Sequence, residues 1–150
     1  MSDKISFKII DGQIPDYVIT NFIGVVGVFI NDREILDIVA DIENENLEGG
    51  AWEYIHQMAK DLYSNLLPDD EELKEWQDEN GAEILCCTCG EIMCGSPTVF
   101  IEQDEKYVYW KALGHNQLDY YYPLNYVFDR KQYEQALEEL KKFSEDKSIY

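Results

Sequence analysis

Three cysteines near the middle of the chain have a spacing that could bind a metal ion. Cys87, Cys89 and Cys94 follow a C-x-C-x4-C pattern, which can present three thiolates to one Zn²⁺ from a strand end and its turn. A closed structural zinc site needs four ligands. Cys86 points to the opposite face from Cys87 if this segment is a strand. The remaining candidates for the fourth ligand are His115, His56 and Glu91.

Thiol redox chemistry is the other use that these cysteines could have. The string 86–95 contains no basic residue that would lower a thiol pKa. Free cysteines are also among the most buried side chains in proteins and commonly fill space in a core. We therefore expect buried thiols that hold neither a metal nor a cofactor. The four cysteines concerned are Cys86, Cys87, Cys89 and Cys94.

Acidic side chains are concentrated in one stretch of the chain. Residues 32–83 contain 17 acids and three basic residues, a net charge of −14 (3 − 17) within a total of −19. Carboxylates at this density repel one another and weaken the compact state, so they indicate a role other than stability. A strongly basic protein fits this charge, whereas the phosphates of a nucleic acid would be repelled. The alternative is a solvated acidic face without a partner.

We predict that a partner contacts two sets of acids and part of a tyrosine run. Residues 69–79 hold seven acids and one lysine; Leu73 and Trp76 are needed inside, so the carboxylates should point outward. In the run 120–126, alternate tyrosines should face opposite sides of a sheet. Exposed tyrosine is typical of protein interfaces, although an ordinary aromatic-rich sheet is the alternative. The predicted contact residues are Asp41, Glu43, Glu45, Glu48, Asp69, Asp70, Glu71, Glu72, Glu75, Asp78, Glu79, Tyr120 and Tyr122.

The sequence contains no complete catalytic site. Ser96 precedes a proline without the G-x-S-x-G context of a serine hydrolase. No phosphate-binding loop or dinucleotide-binding fingerprint is present. His115 lies between Gly114 and Asn116, a setting that favours a histidine in a surface loop over a catalyst. We therefore predict a protein that is not an enzyme.

Hydrophobic periodicity predicts a single acidic domain of the α+β class over residues 1–150, with a mainly antiparallel sheet and two principal helices packed against it. The segment 34–42 fits either a strand or a helix face, and we favour the strand. The closing helix should have Asp129 as its N-cap and Gln132 as part of a capping box. The predicted strands are 5–10, 17–30, 83–88, 98–103, 106–113 and 120–128, with turns at 31–32 and 103–105. The predicted helices are 50–67, 69–80 and 129–143.

The second half of the chain resembles a family of small, uncharacterised bacterial proteins. The string from Cys87 to Cys94 has the C-x-C-G-E-x-x-C signature of that family, although Met93 stands where the family tends to have glycine. Val108-Tyr109-Trp110 is similar to its V-x-W element, and residues 128–137 are similar to its F-D-R-x-x-Y-x-x-A-L helix, in the same order. The resemblance supports the fold and implies no chemistry.

The compartment and the function follow as expectations from charge and patterning. The chain does not open with a charged segment followed by an apolar run, and the apolar window 22–30 is too short to span a bilayer. The crowded cysteines differ from a secreted disulfide framework. We predict a cytoplasmic immunity protein, as in contact-dependent growth inhibition, that neutralises a basic bacterial toxin domain, with a nuclease as the first candidate. The alternative is a small zinc-binding or thiol-redox protein.

Overall fold

Two antiparallel sheets and four helices make up the part of the chain that the computed structural model describes, residues 2–10, 25–87 and 95–145. A two-stranded ladder joins two further short strands. The α+β class predicted from the sequence is confirmed. In chain order the elements are β1 (Ile5–Ile9), β2 (Val26–Ile30), β3 (Arg33–Glu34), α1 (Ile35–Asn46), β4 (Tyr54–Ile55), α2 (Ala59–Leu66), α3 (Glu71–Asn80), β5 (Ala82–Glu83), β6 (Cys86–Cys87), β7 (Pro97–Gln103), β8 (Tyr107–His115), β9 (Tyr121–Asp129) and α4 (Arg130–Glu145).

The larger sheet has the strand order β5, β7, β8, β9, and every neighbouring pair is antiparallel. Its three long strands lie within two residues of the predicted segments 98–103, 106–113 and 120–128. The carboxylate of Asp104 accepts hydrogen bonds from the backbone N–H groups of Lys106 and Tyr107, both at 2.8 Å. These bonds close the predicted tight connection between β7 and β8.

The smaller sheet has the strand order β1, β2, β3 and is also antiparallel. Asn31 and Asp32 connect β2 to β3 with φ values of 54° and 66°. Two successive residues at positive φ are typical of the tight turn in a two-residue β-hairpin, because the twist of this turn matches that of the flanking strands. Asn and Asp tolerate positive φ better than most residues. The turn predicted at these two positions is confirmed.

One hydrophobic core joins both sheets to α1, α2 and α4. Trp110 and Phe128 are fully buried in it, with their ring centroids 5.5 Å apart in an edge-to-face arrangement. The indole N–H of Trp110 donates to the hydroxyl oxygen of Tyr133 over 3.2 Å. The polar atom of the largest core residue is therefore satisfied inside the protein, as buried tryptophan requires.

The closing helix begins where the sequence predicts, but one part of its cap is different. The Asp129 carboxylate accepts from the backbone N–H groups of Lys131 and Gln132, so Asp129 is the predicted N-cap. The capping box is wrong. The amide side chain of Gln132 accepts from the N–H of Ile5 at 3.1 Å and donates to the carbonyl of Ile5 at 2.6 Å. It thereby satisfies both backbone groups of Ile5 and ties β1 to α4.

The strand favoured over 34–42 is wrong, because Ile35–Asn46 forms helix α1. Ile35, Ile38 and Val39 are buried, which is the three-and-four spacing of one helix face. The branched side chains that favour a strand locally are accommodated here because they pack into the shared core.

The predicted helix over 50–67 is half its expected length. Only Ala59–Leu66 is helical, and Tyr54–Ile55 forms strand β4 opposite Cys86–Cys87. The helix prediction counts Trp52 among the regularly spaced apolar residues of one buried face. In the structure Trp52 is 45% exposed and lies outside any helix or strand. The pairing of β4 with β6 joins segments about 30 residues apart, and local periodicity carries no information about it.

The strand predicted over 83–88 is split between two ladders. Ala82–Glu83 pairs with β7 in the larger sheet, and Cys86–Cys87 pairs with β4. Thr88 lies outside the described residues, as does the part of the predicted strand 17–30 that precedes Val25. Within the described ranges, no helix combines the length and the apolar character that crossing a membrane requires.

Replacing Leu140 with alanine is expected to destabilise the fold by about 3–5 kcal/mol, and replacing Leu137 by about 2–3 kcal/mol. Both side chains are buried on α4, but Leu137 borders a surface groove into which its neighbours can relax. The free energy of unfolding from denaturant titration measures both effects. Glu139→Ala, exposed on the same helix, is the matched control and should change it by less than about 0.5 kcal/mol. A Leu140 effect no larger than this control would contradict the packing described.

Candidate functional site

Helix α3 carries the densest acidic surface of the described chain. The seven acids predicted to point outward are all exposed, and none of the helix's residues is fully buried. Leu73 and Trp76 are only half-buried, so the prediction that they lie inside the protein is wrong. Lys74 is the one basic residue, 3.4 Å from the Glu71 carboxylate. The seven exposed acids are Asp69, Asp70, Glu71, Glu72, Glu75, Asp78 and Glu79.

The charges of α3 are only partly explained by helix stability. Asp70 is the N-cap, its side chain accepting from the N–H of Glu72 at 2.9 Å, and acids in the first turn suit the helix dipole. Asp78 and Glu79 lie at the other end, where no base compensates them and the dipole disfavours negative charge. Glu75 and Glu79 are also like charges four residues apart, a mildly destabilising pair. The helix keeps this charge at some cost to its stability.

The second acidic set divides between the surface and the core. Glu45 and Glu48 are exposed, and Asp41 is exposed beside Arg33, with which it forms an ion pair. Glu43 is the correction: it is fully buried, so it cannot be the surface contact that the sequence predicts. The helical geometry of α1 turns Glu43 toward the same interior that receives Val39.

Glu43 is the centre of a buried hydrogen-bonded cluster. Its Oε1 accepts from the backbone N–H of Trp52 at 3.0 Å. Its Oε2 accepts from the hydroxyl groups of Tyr54, at 2.7 Å, and Tyr120. Three donors from two distant parts of the chain therefore converge on one carboxylate. A buried carboxylate is tolerated only when it is hydrogen-bonded in this way.

Tyr120 is bound to Glu43, and Tyr122 packs on the ring of Tyr120. Tyr120 is half-buried, and its ring centroid is 4.6 Å from that of the half-buried Tyr122. Burial, reinforced by the bond to Glu43, raises the pKa of Tyr54 and Tyr120 above the ordinary value. Both hydroxyl groups are therefore protonated donors at neutral pH. Tyr121 is the tyrosine of this run that is most exposed, at 62%, and it packs on Phe100.

His115 is buried at the end of β8, so its prediction as a surface-loop residue is wrong. Its ring lies 5.3 Å from that of Trp52 and 5.4 Å from that of Tyr120. Its Nδ1 accepts from the backbone N–H groups of Gln117 and Leu118 at 3.0 and 2.9 Å. A neutral ring that accepts at Nδ1 carries its proton on Nε2. Neither nitrogen then offers a lone pair to a metal ion, which argues against His115 as the fourth zinc ligand.

The one cysteine whose side chain the structure describes, Cys86, does not carry a reactive thiol. Cys86 is buried, and burial raises the pKa of its thiol to about 12, which keeps it protonated and unreactive. The backbone of Cys87 pairs with Tyr54 in the ladder between β4 and β6. Among the residues that the structure describes, no three His, Cys, Asp or Glu side chains are placed to hold a metal. The other predicted ligands, Cys89 and Cys94, and the candidate Glu91 lie outside the described residues.

His56, the remaining candidate ligand, is engaged in a buried pair. Its Nε2 lies 2.7 Å from Oε1 of Glu34, the residue that precedes α1. Burial lowers the pKa of His56, and the Glu34 carboxylate opposes this effect. The pair joins β3 to the segment before α2, so it connects two elements rather than lining a cleft.

Acidification is expected to weaken the fold through both histidines. Burial lowers the pKa of His56 and His115 in the folded state, so the unfolded chain binds protons first as the pH falls below the ordinary histidine value. Each such proton costs up to about 1.4 kcal/mol of stability per pH unit. Protonation of the many carboxylates relieves repulsion and acts in the opposite direction, so the wild type must be compared with a variant.

The measurement is the free energy of unfolding at pH values on either side of about 6, where histidine titrates. The double variant His56→Gln, His115→Gln should lose less stability than the wild type between the two pH values. Equal losses in the two proteins would show that the histidines do not carry the effect.

Sequence reasoning missed Trp52 and the cluster around Glu43. The sequence places Trp52 on a buried helix face and Glu43 on the surface, and the structure reverses both. The available signal was the pair of glycines at 49–50, which interrupts the helical pattern before Trp52. Gly50 has φ of 80°, a conformation that starts the return of the chain over the end of α1.

Comparison with protein-family models, with curated proteins and with solved structures finds no match to this chain. The resemblance to a bacterial family therefore stays a prediction based on three motifs. Two of them have a structural explanation here. Trp110 of the second motif is a core residue, and the third motif supplies Phe128 to the core and Asp129 to the helix cap.

Proposed function

We propose that this chain is a non-enzymatic acidic binding protein, an immunity protein that neutralises a basic bacterial toxin domain in the cytoplasm. The observation that carries the proposal is the surface of residues 69–79, which comprises most of α3 and the two residues before it, where seven acids are exposed against one lysine. This charge reduces rather than increases the stability of the helix at its C-terminal end. A role in binding accounts for a charge that folding does not need.

The chemistry of a basic partner fits this surface on two grounds. Opposite charge steers two proteins together and raises association rates far above those of neutral surfaces. A nuclease domain carries a basic cleft for phosphates, and a row of carboxylates presents a similar charge to that cleft. A nuclease is therefore the first toxin class to test. Nucleic acid itself is a disfavoured partner, because its phosphates would be repelled.

The chemistry of the described buried groups supports the non-enzymatic part of the proposal. Glu43 is occupied by three donors, His115 accepts two backbone N–H groups at Nδ1, and Cys86 is a protonated thiol. The Glu43 carboxylate and Nδ1 of His115 are therefore committed to structural contacts, and the Cys86 thiol is buried. None combines an available nucleophile or base with access to solvent.

Co-expression tests the proposal directly. We expect a toxin-like domain to be encoded immediately upstream of this gene, and that domain is produced in bacteria with and without this chain. We expect growth arrest by the toxin domain alone and restored growth when both are present. A variant of the toxin domain that is inactive but folded controls for the burden of expression. Growth arrest that persists with the chain present at matched levels would overturn the proposal.

A further inference from the structure

Trp52 is an exposed tryptophan that the fold holds in place. It lies between α1 and β4 with 45% of its surface exposed. Its backbone N–H is bound to Oε1 of Glu43, and its indole ring packs edge-on against His115, with centroids 5.3 Å apart and planes at 79°. The residue before it is fixed as well, because the N–H of Ala51 donates to the side chain of Asn44 at 2.8 Å.

An exposed aromatic side chain held in this way is suited to binding. Large, rigid aromatic groups lose little conformational entropy when they are covered, and tryptophan is enriched among the residues that dominate binding energy. The exposed part of the ring is apolar surface that is free for a partner to cover. Trp52 lies in the same buried network as Tyr120, which connects it to the tyrosine run that the sequence predicts as part of an interface.

The chain segments that supply the Trp52 network are acidic. Glu45 and Glu48 are exposed in the segment that precedes it, and Asp119 is exposed directly before Tyr120. The segments 42–59 and 112–129, which supply the cluster, contain no lysine or arginine. A cation that reaches Trp52 therefore meets attraction from carboxylates and no competing base from these segments.

We propose that Trp52 anchors an arginine side chain of a basic protein partner, with Glu45, Glu48 and Asp119 at the rim of the contact. A planar guanidinium stacks on an aromatic face and is less strongly hydrated than an ammonium group, so arginine fits this site better than lysine. This inference rests on the proposed function, because it names the residue type through which a basic partner would bind. It assigns the anchor to Trp52 and leaves long-range attraction to α3.

The test uses hexa-arginine and hexa-lysine peptides as probes, which carry the same charge. The readout is the indole N–H signal of each tryptophan by NMR, and Trp76 on the acidic helix α3 and the buried Trp110 serve as internal references. Hexa-arginine should shift the Trp52 signal and bind about two- to fivefold more tightly than hexa-lysine. The variant Trp52→Leu, which keeps an apolar side chain without a ring, should bind the two peptides equally.

Tyr121→Leu is the matched control, since Tyr121 is an even more exposed aromatic residue; it should keep the preference for arginine. Equal binding of the two peptides by the wild type, a preference that survives in Trp52→Leu, or shifts confined to Trp76 would each overturn the inference. Growth rescue by the chain together with any of these results would leave the proposed function standing. A preference for arginine that depends on Trp52, without growth rescue, would support the inference about Trp52 and overturn the proposed immunity function.

Discussion

Replacing Glu43 with leucine is expected to destabilise the protein by about 3–5 kcal/mol. The substitution removes the acceptor shared by the Tyr54 hydroxyl, the Tyr120 hydroxyl and the Trp52 backbone N–H. Those donors stay inside the protein without a partner, and leaving a buried polar group unsatisfied costs more than an average hydrogen bond contributes. The free energy of unfolding, from the denaturant midpoint and the measured slope, gives the effect.

Two further variants separate the role of Glu43 from general effects of substitution. Glu45→Leu changes an exposed acid on the same helix and should alter stability by less than about 0.5 kcal/mol. Glu43→Gln keeps one acceptor oxygen and should fall between the two, because its amide nitrogen cannot accept from a tyrosine hydroxyl. A loss for Glu43→Leu as small as that for Glu45→Leu would contradict the buried cluster.

The parts of the fold that depend on neighbouring residues could be predicted from the sequence. The strands β7, β8 and β9 follow from alternation and from the short connection at Asp104, and the cap of α4 follows from Asp129. Asn31 and Asp32 signal their turn by their tolerance of positive φ. In each case the decisive interaction spans only a few residues.

The parts that depend on distant segments could not be predicted in the same way. Glu43 resembles any other acid of the stretch 32–83 until Tyr120, 77 residues away, is brought to its carboxylate. Strand β4 exists because Cys86 and Cys87 pair with it. A buried carboxylate and an exposed tryptophan both run against the usual distribution of residue types, and only tertiary contacts account for them.

Reversing four charges on α3 is expected to slow association with the toxin domain by about tenfold or more at low salt. The variant carries lysine at Glu72, Glu75, Asp78 and Glu79, which are all exposed. Because these side chains make no core contact and lysine suits the C-terminal end of a helix, folding should be unaffected or slightly improved. The measurement is the association rate constant at two ionic strengths, and salt should reduce the difference from the wild type.

A control with the same change in net charge tests whether the position of the charges matters. It carries lysine at four other exposed acids, Glu105, Glu138, Glu139 and Glu145. The control should slow association less than the α3 variant does. Equal slowing in the two variants would assign the effect to net charge. If neither the α3 reversal nor salt changed the association rate, the contact would lie elsewhere on the protein.

Titration of the purified toxin domain with this protein tests the central claim most directly. The activity of the toxin on its own substrate is measured at constant toxin concentration while the protein is added, at physiological ionic strength. An immunity protein that covers the basic site should abolish activity near an equimolar ratio, and the α3 reversal should require more protein for the same inhibition. Full toxin activity in the presence of a large excess of the wild-type protein would contradict the account.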